Sequence, residues 1–279
     1  MRFYGRDMGK ILVTGATGNV GSHVVAQLAS AGIDVRAFAR RPERVQPGVE
    51  AVQGDLTAPE TLEPALKDVE SVFLLWPGLS TGNAAEVVSA IAGHARRVVY
   101  LSAFVPGGSG GHYGEIEGLI RRSGLGWTFL QPGGFAANTL GWADQVRQGV
   151  VRWPFGEASR ALIHEKDIAA VAVHVLTSAG HNGAAYAITG PDELTQAEQV
   201  RVIGEVVGRE VRWEEQPPEE ARERLLAAWG DEAFVDSALK AWESFVAGPE
   251  RATDTVRRLL GRPALSFRQW AEDHAEDFR

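Results

Sequence analysis

Three glycines at three-residue spacing, in Gly15-Ala16-Thr17-Gly18-Asn19-Val20-Gly21, separate two periodic segments. Before them lies a short apolar run, Lys10–Thr14; after them, Asn19–Ala31 carries Val20, Val24, Leu28 and Ala31 at helical spacing. A strand that turns directly into a helix needs residues without a Cβ, because the chain bends tightly and must approach its ligand closely. The new helix points unpaired N–H groups and positive dipole outward, which favours phosphate. The sequence therefore predicts a pyrophosphate turn formed by Gly15, Ala16, Thr17, Gly18, Asn19, Val20 and Gly21; a plain strand–helix turn is the competing reading.

The following hundred residues keep alternating. Strands are expected at Val35–Ala39, Val49–Gln53, Val69–Trp76, Val98–Ser102 and Trp127–Gln131. Helices are expected over Asn83–His94 and up to Ser123-Gly124, with a helix start at Thr57-Ala58-Pro59-Glu60. The nearly unbroken apolar run at Val69–Trp76 suits a strand covered on both faces. Strands alternating with helices imply a doubly wound parallel α/β sheet of Rossmann type.

The second half is less regular. Asp167–Leu176 reads as a helix with Asp167 as its cap, and Ala185–Thr189 and Val211–Trp213 as short strands. Thr195-Gln196-Ala197-Glu198 is a capping box, and Pro217–Ala228 an acidic amphipathic helix with Glu219 and Glu220 solvated. No repeat or proline-rich break divides the chain. The expectation is one domain over residues 8–279, with a core over about 9–155 and an interleaved, smaller C-terminal α/β substrate lobe over about 156–279.

The end of the second strand discriminates between dinucleotides. A site for NAD places an acid there to hold the ribose 2′-hydroxyl. Phe38-Ala39-Arg40-Arg41-Pro42-Glu43-Arg44 offers cations instead. Arg40 suits a bidentate contact to a 2′-phosphate, with Arg41 or Arg44 assisting, so NADP(H) is expected; the alternative is a solvated turn. Asp55 and Leu56 close the third strand, where Asp55 would accept from the adenine amino group, cap a turn, or do both. Leu75, Trp76 and Pro77 end the fourth strand at the edge where such sheets bind ligands, although Trp76 would serve equally as core.

Composition narrows the partners. A net charge of −8 with no long Lys/Arg run argues against nucleic acid, and no apolar run approaches membrane-helix length. The chain has no cysteine, which removes disulfides and thiolate chemistry and fits a cytoplasmic protein. Met1–Asp7 has no apolar segment after its charges and reads as a short tail before Met8, not a secretory signal. The histidines and acids show no metal-ligand spacing.

Taken together, the glycine turn, Arg40, Gly54-Asp55-Leu56 and the run from Ser123 to Gly133 resemble the NmrA-like branch of the atypical short-chain dehydrogenases/reductases. The resemblance covers about Lys10 to Gly208, including Thr189-Gly190-Pro191 and Leu194-Thr195. It implies a Rossmann core, bound NADP(H) and a C-terminal lobe forming a cleft over the nicotinamide. Such families include quinone and azo reductases as well as cofactor-binding sensors.

The sequence departs from the parent superfamily at its catalytic pair. A Tyr-x-x-x-Lys motif uses the lysine to lower the phenol pKa. Here Tyr113 is followed four residues later by Glu117, and no lysine lies between Lys67 and Lys166. A carboxylate at that position is expected to disfavour phenolate. The remaining catalytic candidates are Tyr113, Ser102 at the end of the fifth strand, and His112, whose ordinary pKa lies near neutrality. Ser102 would also touch cofactor, as would Pro132 and Phe135 after the sixth strand. Trp142, Trp153 and Phe155 would either face a flat ligand or pack as lobe core. The reading is an NADP(H)-dependent oxidoreductase acting on an aromatic or quinonoid small molecule, with a homodimer allowed. The alternatives are a non-catalytic NADP(H)-binding redox regulator and an NADPH-using oxygenation enzyme of aromatic metabolites.

Overall fold

The computed structural model describes residues 9–78, 80–104 and 111–279; the tail before Met8 lies outside the described residues. In chain order come β1 (Lys10–Thr14), α1 (Gly21–Ser30), β2 (Val35–Ala39), β3 (Glu50–Gln53), β4 (Val69–Leu75) and α2 (Ala84–His94). They are followed by β5 (Arg97–Leu101), α3 (Gly111–Arg122), β6 (Gly126–Pro132), α4 (Ala143–Arg147), β7 (Val150–Trp153) and β8 (Ser159–Arg160). Next are α5 (Glu165–Thr177), β9 (Ala184–Ile188), β10 (Leu194–Thr195), α6 (Gln196–Val207) and β11 (Arg212–Glu215). The chain ends through α7 (Pro218–Trp229), α8 (Glu232–Ala247), α9 (Thr255–Leu260) and α10 (Phe267–Asp273).

These elements form two compact units. The first holds the chain through Pro132, then Glu165–Ile188 and Thr255–Arg262; the second holds Gly133–His164, Thr189–Asp254 and Pro263–Arg279. The chain passes back and forth between them. The reason is that β9 completes the sheet of the first unit, pairing in parallel with β6 from Thr128 to Pro132.

That sheet has seven parallel strands in the order β3-β2-β1-β4-β5-β6-β9, with the order reversing between β1 and β4. On one face α2 and α3 bury Val87, Val88, Ile91, Ile116 and Ile120 against Leu12, Val72, Leu74, Val98 and Tyr100. On the other, α1 packs against α5, which runs over β4, β5 and β6. Each fully buried side chain of this kind contributes roughly 1.5–3 kcal/mol. Arg36 on β2 ties the loop after β3 to the sheet: it is buried, pairs with Glu50 at 2.8 Å, and donates to Ala65 O and Lys67 O at 2.7 Å each.

Two local expectations fail for physical reasons. Thr57 caps no helix; Pro59–Thr61 and Glu63–Leu66 are short 3₁₀ turns, and the Thr57 N–H instead donates to Asp55 Oδ1 at 2.9 Å. Asp167 lies inside the first turn of α5 and is fully buried, where it meets Arg262 at 2.6 Å. An ion pair from α9's end, far along the chain, made its role invisible to local pattern.

The second unit carries two small sheets, antiparallel β8–β10 and parallel β7–β11. The Thr195/Glu198 capping box opens α6 as expected, and Gly208, at φ 69, ends it in the left-handed conformation. A second box, Ser266/Gln269, opens α10. Trp142, Val146, Val151, Ile203, Phe267 and Trp270 form its main core, and α7 and α8 close a smaller one around Leu225 and Val235. Among the described residues no helix is long and apolar enough to cross a membrane.

Tyr100, in the middle of β5, is fully buried, and its hydroxyl has no hydrogen-bond partner among the described residues. Burial, and then Tyr113 and Glu117, push its pKa far up. An unsatisfied buried hydroxyl costs about 1–3 kcal/mol, so Tyr100→Phe should raise the urea midpoint. A lower midpoint would reveal a partner for the hydroxyl.

Candidate functional site

The turn after β1 sits at the carboxyl edge of the sheet, where the strand order reverses between β1 and β4. Thr14, fully buried at the end of β1, bridges the two strands: its Oγ1 accepts from Leu75 N at 2.8 Å and lies 3.2 Å from Phe73 O and Leu75 O. Gly15 then adopts φ 61, a left-handed conformation that glycine takes without strain. Gly18 N–H donates back to Gly15 O at 2.9 Å and closes the turn. A Cβ on Gly21 would stand 2.1 Å from Gly15 O, so α1 can begin there only with glycine. A Cβ on Gly18 would meet nothing nearer than Gly15 O at 3.3 Å, so space is left over the turn itself.

A cleft of about 330 Å³ opens above this turn. Gly15, Thr17 and Gly18 form its floor; Arg40, Arg41 and Arg44 stand along one side; Asp55, Leu56, Leu75 and Pro77 complete it. Of the residues expected from sequence, Ala16, Asn19, Val20, Gly21, Trp76, Ser102, Pro132 and Phe135 do not line it. Helix α1 starts at Gly21, two residues later than expected, and Ala16, Val20 and Gly21 are buried beneath the turn. Trp76 is buried too, its Nε1–H donating to Ser80 O at 2.9 Å. Pro132 is the last residue of β6, and Phe135 belongs to the second unit. Phe38, Ala39 and Gly54 line the cleft but were not singled out; their signal was position alone, at the ends of β2 and β3. Gly54 is required there because a Cβ would strike the Phe38 ring at 2.2 Å.

The electrostatics of the cleft are cationic. Three arginines face one carboxylate, Asp55, whose pKa is lowered chiefly by the Thr57 N–H bond and further by the Arg40 charge. Asp55 is thus a turn cap and a fixed anion at once.

Glu117 occupies the place of the missing lysine. It is buried, accepts from Ser102 Oγ at 2.7 Å, Gln131 Nε2 at 2.9 Å and Arg121 Nη2 at 3.0 Å. The Arg121 guanidinium in turn lies over Trp127 and Phe129, at 5.2 and 4.8 Å from their ring centroids. Ser102 is 3% exposed and its hydroxyl donates to Glu117. The His112 and Tyr113 rings lie against each other at a 38° tilt, with centroids 3.9 Å apart. Burial raises the Tyr113 pKa above its ordinary value and lowers that of His112. The phenol is held protonated by desolvation, and not, as the sequence suggested, by Glu117.

The second unit contains a separate cavity of about 620 Å³. Trp142, Trp153, Trp229 and Trp242 supply its aromatic walls, with Phe135 and Phe234. Of the three aromatics that the sequence left between facing a ligand and packing as lobe core, Trp142 and Trp153 line the cavity and also pack in the core, and Phe155 packs against the α7–α8 core. Trp229, Phe234 and Trp242 carried no signal beyond being aromatic.

A family model described as NAD(P)H-binding matches residues 15–179. A (4-alkanoyl-5-oxo-2,5-dihydrofuran-3-yl)methyl phosphate reductase of Streptomyces griseus is 41% identical, over 96% of this chain and 99% of its own. An NAD(P)H azoreductase of Xenophilus azovorans is 33% identical over 96% and 99% respectively. The structure of an NADPH-dependent quinone oxidoreductase from Escherichia coli shares the fold, with a TM-score of 0.80 at 23% identity over 94% of this chain and 99% of that one. The glycine turn, the switch in strand order and the cleft above them are those of a nicotinamide-dinucleotide oxidoreductase. The chain belongs to the NAD(P)H-binding family.

Two glycine substitutions separate the fold of the turn from its ligand. Gly21→Ala forces a methyl into a backbone carbonyl and should cost about 1–3 kcal/mol of stability or more. Gly18→Val should leave circular dichroism unchanged and abolish NADPH binding, because its side chain fills the open space over the turn. Normal NADPH affinity in Gly18→Val would refute the assignment of that space to the pyrophosphate.

Proposed function

We propose that the protein is an NADPH-dependent reductase of flat, conjugated small molecules of the aromatic or quinonoid kind. One observation carries the substrate class: the cavity of the second unit is walled by tryptophan and phenylalanine, surfaces that take up planar rings by stacking. The named activities of the relatives fit this reading, since an azo compound, a quinone and an unsaturated furanone ring are all electron-poor conjugated acceptors.

Gly15, Thr17 and Gly18 would hold the pyrophosphate, Arg40 with Arg41 and Arg44 the 2′-phosphate, and Asp55 and Leu56 the adenine. When bound, NADPH supplies a hydride. The chain's own contribution is positioning and water exclusion more than proton relay. Ser102 cannot donate to a substrate without giving up Glu117, and the protonated Tyr113 is the one acid candidate left on α3. A conjugated acceptor makes this sufficient, because its reduced anion is delocalised and takes a proton from water.

Calorimetric titration should show NADPH bound roughly tenfold or more tightly than NADH, as expected from a charge-assisted bidentate contact, and Arg40→Ala should erase most of the difference. Equal wild-type affinities would overturn the 2′-phosphate assignment. With a panel of quinones and azo compounds the wild type should oxidise NADPH.

Tyr113→Phe should slow turnover well under the 10²–10⁴-fold, approximately, typical of losing a general acid. Because burial pushes His112 below and Tyr113 above their ordinary values, neither titrates between about pH 7 and 9, and turnover should be flat across that range. A steep limb inside it, lost in Tyr113→Phe or His112→Gln, would make that residue the proton donor.

A further inference from the structure

The cavity of the second unit has a chemical bias that its aromatic walls do not account for. Arg224, on α7, lines it with its guanidinium 4.6 Å from the centroid of the Trp153 ring. Arg224 Nε and Nη2 are buried and have no hydrogen-bond partner among the described residues. Trp153 Nε1 and Arg160 Nε, on the same lining, are buried and unpartnered as well. All four atoms are N–H donors. Stacking on Trp153 offsets part of the cost of burying the Arg224 charge, but it uses the face of the guanidinium and none of its in-plane donors.

The charges are equally one-sided. Among the described residues no aspartate or glutamate lines the cavity. Arg160 has a counter-ion, since its Nη2 lies 3.2 Å from Glu250, a buried carboxylate that also accepts from Gly134 N at 3.4 Å. Arg224 has none among the described residues; its neighbour Arg152 is itself a cation and pairs with Glu214 at 2.8 Å. Of the lining glutamines, Gln196 spends both amide donors on Pro154 O and Phe155 O, and Gln199 spends one of its two on Leu194 O. A half-buried cation whose buried donors are unused is costly to keep unless something completes them.

We propose that this cavity takes a planar ligand bearing an oxyanion, a carboxylate, phosphate or sulfonate, and that Arg224 receives the oxyanion while the tryptophans stack on the ring. The inference rests on reading the cavity as the substrate site, and it narrows the substrate from any conjugated acceptor to an anionic one. Arg224 is then a specificity-determining residue. Arg160, already neutralised by Glu250, shapes the cavity without adding net charge.

Naphthalene-2-sulfonate and naphthalene-2-sulfonamide share a ring and a shape and differ in charge. Calorimetry on the whole protein should show the sulfonate bound about tenfold or more tightly, with only the sulfonate weakened by added salt. Arg224→Met should bring the two to equal affinity while NADPH binding stays unchanged, and Arg224→Lys should keep part of the preference. Parallel titrations with 2-naphthoate and 2-naphthyl phosphate rank the oxyanions. Equal wild-type affinities, binding of neither probe, or a preference that survives Arg224→Met overturns the proposal; should Arg224→Met fail to fold, the salt dependence and Arg224→Lys decide. Quinone turnover without charge preference sinks this inference alone. Sulfonate binding without reduction of any acceptor sinks the reductase reading alone.

Discussion

The carbonyl of Gly15 and the first residue of α1 approach so closely that no side chain fits between them. A methyl at Gly21 would overlap that carbonyl, and the left-handed backbone at Gly15 is what aims the carbonyl there. This contact sets where α1 begins and how near it comes to the sheet, and so fixes the floor of the cleft. The Thr14 hydroxyl locks the same place from the strand side by joining β1 to Leu75 of β4. Strand order reverses between those two strands, and a sheet that twists apart at its carboxyl edge leaves an opening there. The cleft is therefore a consequence of one backbone contact and one buried hydroxyl, with the arginines that follow β2 added at its side.

Replacing the superfamily's lysine by Glu117 removes more than a catalytic partner; it converts the position into an organising one. A buried carboxylate needs its oxygens satisfied, and Ser102, Gln131 and Arg121 supply donors from β5, β6 and α3 itself. The network holds together the ends of the two strands nearest His112 and Tyr113. Its cost is that Ser102 loses its freedom to act on a substrate. The arrangement suits a reaction whose product anion stabilises itself, and it would serve poorly for reducing an isolated ketone, where the developing alkoxide needs a donor.

What the sequence disclosed follows the range of the forces involved. The sheet of the first unit was readable because helix and strand periods report on burial directly, and strand ends came out within a residue or two. The arginines at 40, 41 and 44 were readable because their place follows from a strand's end. Asp167 and Glu117 were misread because their partners, Arg262 and Gln131, lie on other elements of the fold. Phe155 and Trp153 differ by two positions and were indistinguishable in sequence. Both pack against the core of α7 and α8, and of the two only Trp153 also lines the cavity.

The distribution of charge gives the two cavities a common logic. The chain as a whole carries a net charge of −8, which repels anions at long range. Within the first unit's cleft, three arginines outnumber one carboxylate that is already spent on Thr57. Within the second unit's cavity, Arg160 is neutralised by Glu250, while Arg224 has no counter-ion among the described residues. Screening over about 8–10 Å at physiological salt confines the surface's negative field to short range, whereas charges inside low-dielectric walls are screened far less. Anions thus meet a surface that gives little non-specific hold and recesses that hold them strongly. That contrast favours a chain that discriminates between anions by shape, because only a molecule able to enter a recess meets the cations.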